Sequence, residues 1–286
     1  MQAEERHENR RIDLWLALAV LFALVLAFWP AWKSLVGIWS SSEDFSHGFI
    51  IVPAALYLLW RRREAVTRRP PRPSWMGLPV VLGATLVYLF ALLAGVWTLA
   101  YLAIILALIG AVLFVGGWRI LRECAFPLFL LLFMIPVPSQ IYTYLTAPLQ
   151  LFVSQVTAGT VKLLQIPVYR EGNILHLPGH SFQVIQACSG LRSVMSLLTL
   201  GLLLGYLTLR SNSLRTLLFI AGLPVAIAVN VVRVLAMVLA LHYLDLDLTA
   251  GEVHTWFGLG IFGLAVALLY LLRGVLAKWD RSAAAG

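Results

Sequence analysis

The chain has 286 residues, 61% of them hydrophobic and 12% charged, with a mean hydropathy of +0.89, which excludes a soluble globular domain and points to a polytopic membrane protein. Its net charge of +8 sits in clusters between apolar runs rather than along one face, so it reports membrane topology and no nucleic-acid partner is expected. Two cysteines, Cys124 and Cys188, fall at opposite ends of different spans and build no disulfide framework, which leaves one free to react.

Apolar stretches of crossing length predict eight helical spans, near 12–30, 46–60, 76–95, 97–117, 122–136, 188–208, 214–241 and 254–272. The first, from Ile12 to Trp29, is too long for a signal-peptide core and is read as a retained span. With the N-terminus in the cytoplasm, the inward segments hold most of the 21 basic residues, among them RRREAVTRRPPR at 61–72, Arg119, Arg122, Arg210, Arg215, Arg273 and Lys278. Both termini are therefore expected inside, with SSEDFSHG (41–48) and LDLDLTAGEVHT (244–255) outside.

The longest external segment, about 137–187, opens with a Pro-bounded stretch. There Gln140, Thr143, Gln150, Ser154, Thr157 and Lys162 recur at mixed helical spacing, the pattern of an interfacial amphipathic helix. Beyond it NILHL and HSFQV flank Pro178-Gly179, which predicts a small external hairpin running straight into Cys188. The expected architecture is an all-α polytopic membrane protein of about eight transmembrane helices, with an amphipathic segment and a small hairpin before span six. It is read as one domain over 1–286, without repeats.

Three polar groups converge on one leaflet under this topology. Arg233 interrupts an otherwise apolar span, and an intramembrane arginine is by default a functional group. Cys188 opens span six at its outer end, where unsatisfied N–H groups and the helix dipole favour thiolate over thiol. His254 opens span eight and can exchange protons near neutral pH, so it is the natural base toward Cys188 and acid toward a leaving amine. Arg233 is placed to stabilise a thiolate or a developing oxyanion. Arg192, four residues after Cys188, and Asn230, three before Arg233, share the faces of these groups and are read as supporting residues.

Blander readings compete with these. A lone cysteine in an apolar helix is usually packing, and Cys124 is read so. Arg233 could simply pair with Asp245 or Asp247, and Arg192 is close enough to the interface to snorkel. His47, His176 and His180 fit no zinc spacing, so neither a metal nor a cofactor is expected.

The segments QACSGLRS, NVVRV and HTWFG, in that order at the outer ends of late spans, together with EDFSHGFIIVP between the first two, resemble the exosortases. These are bacterial inner-membrane, cysteine transpeptidase-like enzymes that process proteins bearing a PEP-CTERM sorting signal. The resemblance runs from about Asp44 to Gly263. It implies a cysteine nucleophile at Cys188, an essential arginine at Arg233 and a histidine at His254, the last distinguishing this branch from the archaeosortases, which carry arginine there. It further implies a periplasm-facing site in the inner membrane. The implied substrate is a protein tail with a Pro-Glu-Pro box, an apolar span and a basic cluster, with water or a membrane-linked amine as acceptor, in a family linked to exopolysaccharide export. The rival readings are a transporter for an anionic substrate and a non-enzymatic export scaffold.

Overall fold

A computed structural model of the chain describes Trp15 and residues 19–67, 72–184, 191–249 and 251–282. These form two compact units divided between Pro138 and Ser139, and each follows from its own sequence.

In the first unit, α1 (Ala19–Ala27) and α2 (Trp29–Ser41) meet at a 72° bend. Pro30 lies in the first turn of α2, where its missing N–H costs nothing but where it cannot continue α1, so the predicted first span breaks at Phe28. α3 (Gly48–Arg61) and the short α4 (Arg63–Thr67) lead to α5 (Gly77–Ala94) and α6 (Trp97–Leu130). α6 has 34 residues, about 51 Å if straight against roughly 30 Å of hydrocarbon, and Gly117 breaks it at φ 74°, ψ −178°. Its two arms coincide with the fourth and fifth predicted spans. The carbonyls released at the break accept from the preceding loop, Gly116 O from Arg72 N–H at 3.3 Å and Phe114 O from Ser74 N–H at 3.2 Å.

Four helices among the described residues are long and apolar enough to cross a membrane, five if the bent α1–α2 pair is one span, and Gly48–Arg61 and Ser193–Thr208 are shorter apolar helices. The all-α polytopic class holds.

Small residues set the packing of this unit, as expected where lipid removes the hydrophobic drive between helices. A Cβ at Gly77 would collide with the backbone of Phe114 and Gly110, and one at Gly110 would sit 2.8 Å from Val81. The EDFSHG segment is also absorbed by packing. The Trp39 indole N–H donates to Met134 O at 3.1 Å, His47 Nε2–H donates to Phe133 O at 3.2 Å, and Gly48 makes room for the Trp39 ring. Together they satisfy carbonyls of the 3-10 turn Leu131–Met134 that ends α6. Cys124 is buried in this unit, as its packing role requires.

The second unit contains α7 (Ser139–Leu163), strands β1 (Tyr169–Glu171), β2 (Ile174–Leu177) and β3 (His180–Gln183), and helices α8 (Leu191–Thr208), α9 (Asn212–Leu244) and α10 (Gly251–Ser282). The predicted hairpin is β2–β3 around Pro178-Gly179, with Leu175 opposite Phe182, and β1 adds a third antiparallel strand. α7 is amphipathic in the reverse sense to a soluble helix. Thr146, Ser154 and Thr157 are buried, whereas Ile141, Tyr144, Leu145, Leu151 and Phe152 face outward.

The inward polar stripe of α7 holds the sheet. Ser154 Oγ lies 3.1 Å from Gly172 O, and Gln150 Oε1 accepts from Asn173 Nδ2 at 3.2 Å. Asn173 in turn grips Val184 at both backbone groups, donating from Nδ2 to its carbonyl at 3.0 Å and accepting its N–H at 2.9 Å. The chain therefore leaves β3 at a fixed point.

Two apolar clusters divide the unit along α9. One joins α8, the N-terminal part of α9 and the C-terminal part of α10, through Leu197, Leu218, Ala226, Val229 and Leu269. The other joins α7, the sheet and the rest of α9, through Val161, Leu175, Phe182, Val184, Val234, Val238 and Leu248. Asp280, near the end of α10, accepts from the backbone N–H groups of Arg210 and Ser211 at 2.6 and 3.0 Å, tying the α8–α9 connection to α10.

Gly77→Ala is expected to lower the melting temperature of the purified protein through an overpacking cost of about 1–3 kcal/mol. Gly83→Ala, on the same helix with open space at its Cβ, is expected not to, and thermal unfolding of the two variants in one detergent checks the contrast.

Candidate active site

The seam between the two clusters on α9 carries the polar residues of NVVRV. Val229 belongs to one cluster and Val234 to the other, and between them sit Asn230, only 4% exposed, and the half-buried Arg233. A guanidinium stays charged at any working pH, so its N–H groups need acceptors that apolar side chains do not offer.

An acceptor comes from α10. Arg233 Nη2–H donates to His254 Nε2 at 2.9 Å, and on the opposite edge of the ring His254 Nδ1–H donates to the carbonyl of Leu248 at 2.9 Å. The two bonds define one tautomer, with the proton on Nδ1 and the lone pair on Nε2. Protonating Nε2 removes the lone pair that Arg233 uses.

Gly258, one turn after His254 on α10, lies under the guanidinium. A Cβ there would stand 3.3 Å from Arg233 Nη2 and 3.6 Å from Cζ, closer than an ordinary van der Waals contact for the first. Helix α10 thus meets the guanidinium with a ring at His254 and, one turn on, with backbone that carries no side chain at Gly258.

The turn that delivers Leu248 is itself built. α9 ends at Asp245 in the left-handed region, φ 51°, with the Leu246 N–H returning to Ala240 O. Asp247 Oδ1 then accepts from both the N–H and the Oγ1–H of Thr249, at 2.7 and 2.6 Å. Those bonds hold the exposed Asp247 carboxyl below its usual range, so the turn is fully formed at neutral pH and loosens only as the pH falls through that lowered value. The leucine between them buries its side chain beside Val234 and Val238.

Of the residues singled out in the sequence, Arg233 and His254 come together directly, and Asn230 shares their seam. Cys188 lies outside the described residues, as does the side chain of Arg192. Asp247 bonds Thr249, while Asp245 stands 3.5 Å from His180. His176 bonds Ser181 at 3.0 Å and lies 3.5 Å from Glu171. Leu248, Thr249 and Gly258 enter the site without having stood out in the sequence. An Asp-x-Thr step reads as an Asx turn, and a glycine four residues after His254 must share its helical face, so both signals are present there.

Gly258→Val should displace the Arg233 guanidinium and deprive His254 Nε2 of its donor. Ring nitrogen NMR shifts of His254 in labelled protein check this, with Gly260→Val, which meets open space, as the variant expected to leave them unchanged.

A family profile described as transmembrane exosortase matches residues 39–271. No curated protein and no solved structure matches the chain.

Proposed function

The chain belongs to the transmembrane exosortase family, and from that premise we propose that it is a membrane cysteine peptidase or transpeptidase acting on PEP-CTERM-tailed proteins at the outer face of the bacterial inner membrane. The observation that carries the reading is the Arg233–His254 hydrogen bond, which joins two of the three residues the chemistry needs.

Cys188 is the proposed nucleophile. Val184, the last described residue before it, is buried in the cluster that also holds Val234 and Leu248. Arg192 and Asn230 are proposed to support the site, Arg192 as the cation nearest the nucleophile in sequence.

As substrate enters, the Arg233 guanidinium turns toward the scissile carbonyl oxygen and releases the Nε2 lone pair. His254 takes the Cys188 thiol proton while the sulfur attacks the carbonyl carbon, and the oxyanion forms against Arg233. Collapse expels the tail as an amine that receives the proton from Nε2–H, leaving a thioester on Cys188. Water, or a membrane-linked amine acceptor, then gives a proton to His254 and its electron pair to the thioester carbon, and the thiol is regenerated. The substrate's apolar span and basic end would fix its depth in the bilayer, so that its box meets the site already oriented.

In cells carrying a tagged protein with such a tail, the parent is expected to remove the tail and to yield a thioester-linked adduct, and Cys188→Ala to do neither. Equal processing by both, with the substrate present at the membrane, would overturn the nucleophile and favour an export role. Activity should also fall as the pH is lowered and Nε2 is protonated, because an imidazolium can accept neither from Arg233 nor from the thiol. A pH–rate profile that stays flat to pH 5 would remove His254 as the base.

A further inference from the structure

We infer that the turn Asp247–Leu248–Thr249 is the orienting and polarising element of His254, with Asp247 and Thr249 as positioning residues that act through one peptide plane. This rests on the reading of His254 as acid and base and extends it to residues that touch neither the ring nor the substrate.

The Leu248 carbonyl and the Thr249 N–H belong to the same planar, trans peptide unit, and in such a unit they point in opposite directions. Asp247 Oδ1 holds the N–H end at 2.7 Å, and the carbonyl end meets His254 Nδ1–H at 2.9 Å. Gripping one end aims the other. The Thr249 hydroxyl adds a second bond to the same carboxylate oxygen, at 2.6 Å, and the buried Leu248 side chain pins the turn from the protein side.

The plane also conducts polarisation. A carboxylate accepting from the N–H shifts electron density toward the carbonyl oxygen, so Leu248 O becomes a better acceptor when the ring gains a proton at Nε2 and turns cationic. Asp247 thus does at a distance of one peptide what a carboxylate bonded directly to a catalytic histidine does in hydrolase triads, fixing the tautomer and stabilising the imidazolium. The exposed Asp247 stays hydrated, so the arrangement avoids the cost of burying a carboxylate beside the ring.

The test compares purified full-length parent, Asp247→Ala, Asp247→Asn, Thr249→Val, His254→Ala and the Asp247→Ala/His254→Ala double variant. The substrate is a tagged protein ending in a Pro-Glu-Pro box, an apolar span and a basic cluster, and the second readout is the ring nitrogen NMR of His254. Asp247→Ala is expected to lower kcat on the order of 10- to 100-fold with KM unchanged and to lose the single Nδ1–H tautomer. Asp247→Asn, which keeps an Oδ1 acceptor, should recover the tautomer and much of the rate, and Thr249→Val should fall between. In the His254→Ala background, Asp247→Ala should have no further effect, since the two act as one unit. A parental tautomer in Asp247→Ala, or losses that add in the double variant, would overturn the proposal. If a Cys188→Ala control processes the substrate like the parent, the functional reading fails instead, and the tautomer comparison alone decides the role of Asp247.

Discussion

A permanently charged guanidinium in an apolar seam is the constraint around which the second unit is arranged. Arg233 needs an acceptor among apolar side chains, and a neutral imidazole supplies one at 2.9 Å. That choice has consequences at each neighbouring element. The imidazole must hold its proton on Nδ1, so a carbonyl has to meet that edge, and the α9–α10 turn delivers Leu248 O. The guanidinium also lies close to α10 at Gly258, where a Cβ would press on Nη2 at 3.3 Å. A Lys at 233 would offer a compact ammonium in place of this planar fork.

The same need of polar groups for partners explains why α7 looks inverted. Its small polar residues face the protein because they have work there: Ser154 and Gln150 hold the β1–β2 turn, and Asn173 of that turn fixes Val184. Its large apolar residues Ile141, Tyr144, Leu145, Leu151 and Phe152 are exposed. The sheet is therefore not an appendage. Its buried side chains Leu175 and Phe182 complete the cluster that shelters the C-terminal half of α9, and its last strand leads to Val184 in the same cluster.

The first unit shows how a sequence motif can be structural while looking chemical. His47 sits in a segment, EDFSHG, that invites a catalytic or metal-binding role, yet its ring caps Phe133 O while Trp39 caps Met134 O and Gly48 accommodates the indole. The carbonyls at the end of α6 lack intrahelical donors, and two side-chain N–H groups from the α2–α3 region meet that need.

Fold class was legible in the sequence because it depends on residue type and local spacing. Hydropathy alone decides that the chain is helical and membrane-bound, the Pro178-Gly179 step decides a hairpin, and an arginine in an apolar run calls for a polar partner. Arg233 and His254 could be placed at a shared depth from the sequence, but their contact could not, since 21 residues and a reversal of the chain separate them. The third strand, the reversed face of α7, the contact of Gly258 with Arg233 and the meeting of the Leu248 carbonyl with His254 were decided by the tertiary structure. Each depends on which groups meet across elements, and no pattern of residues along one segment encodes that meeting by itself.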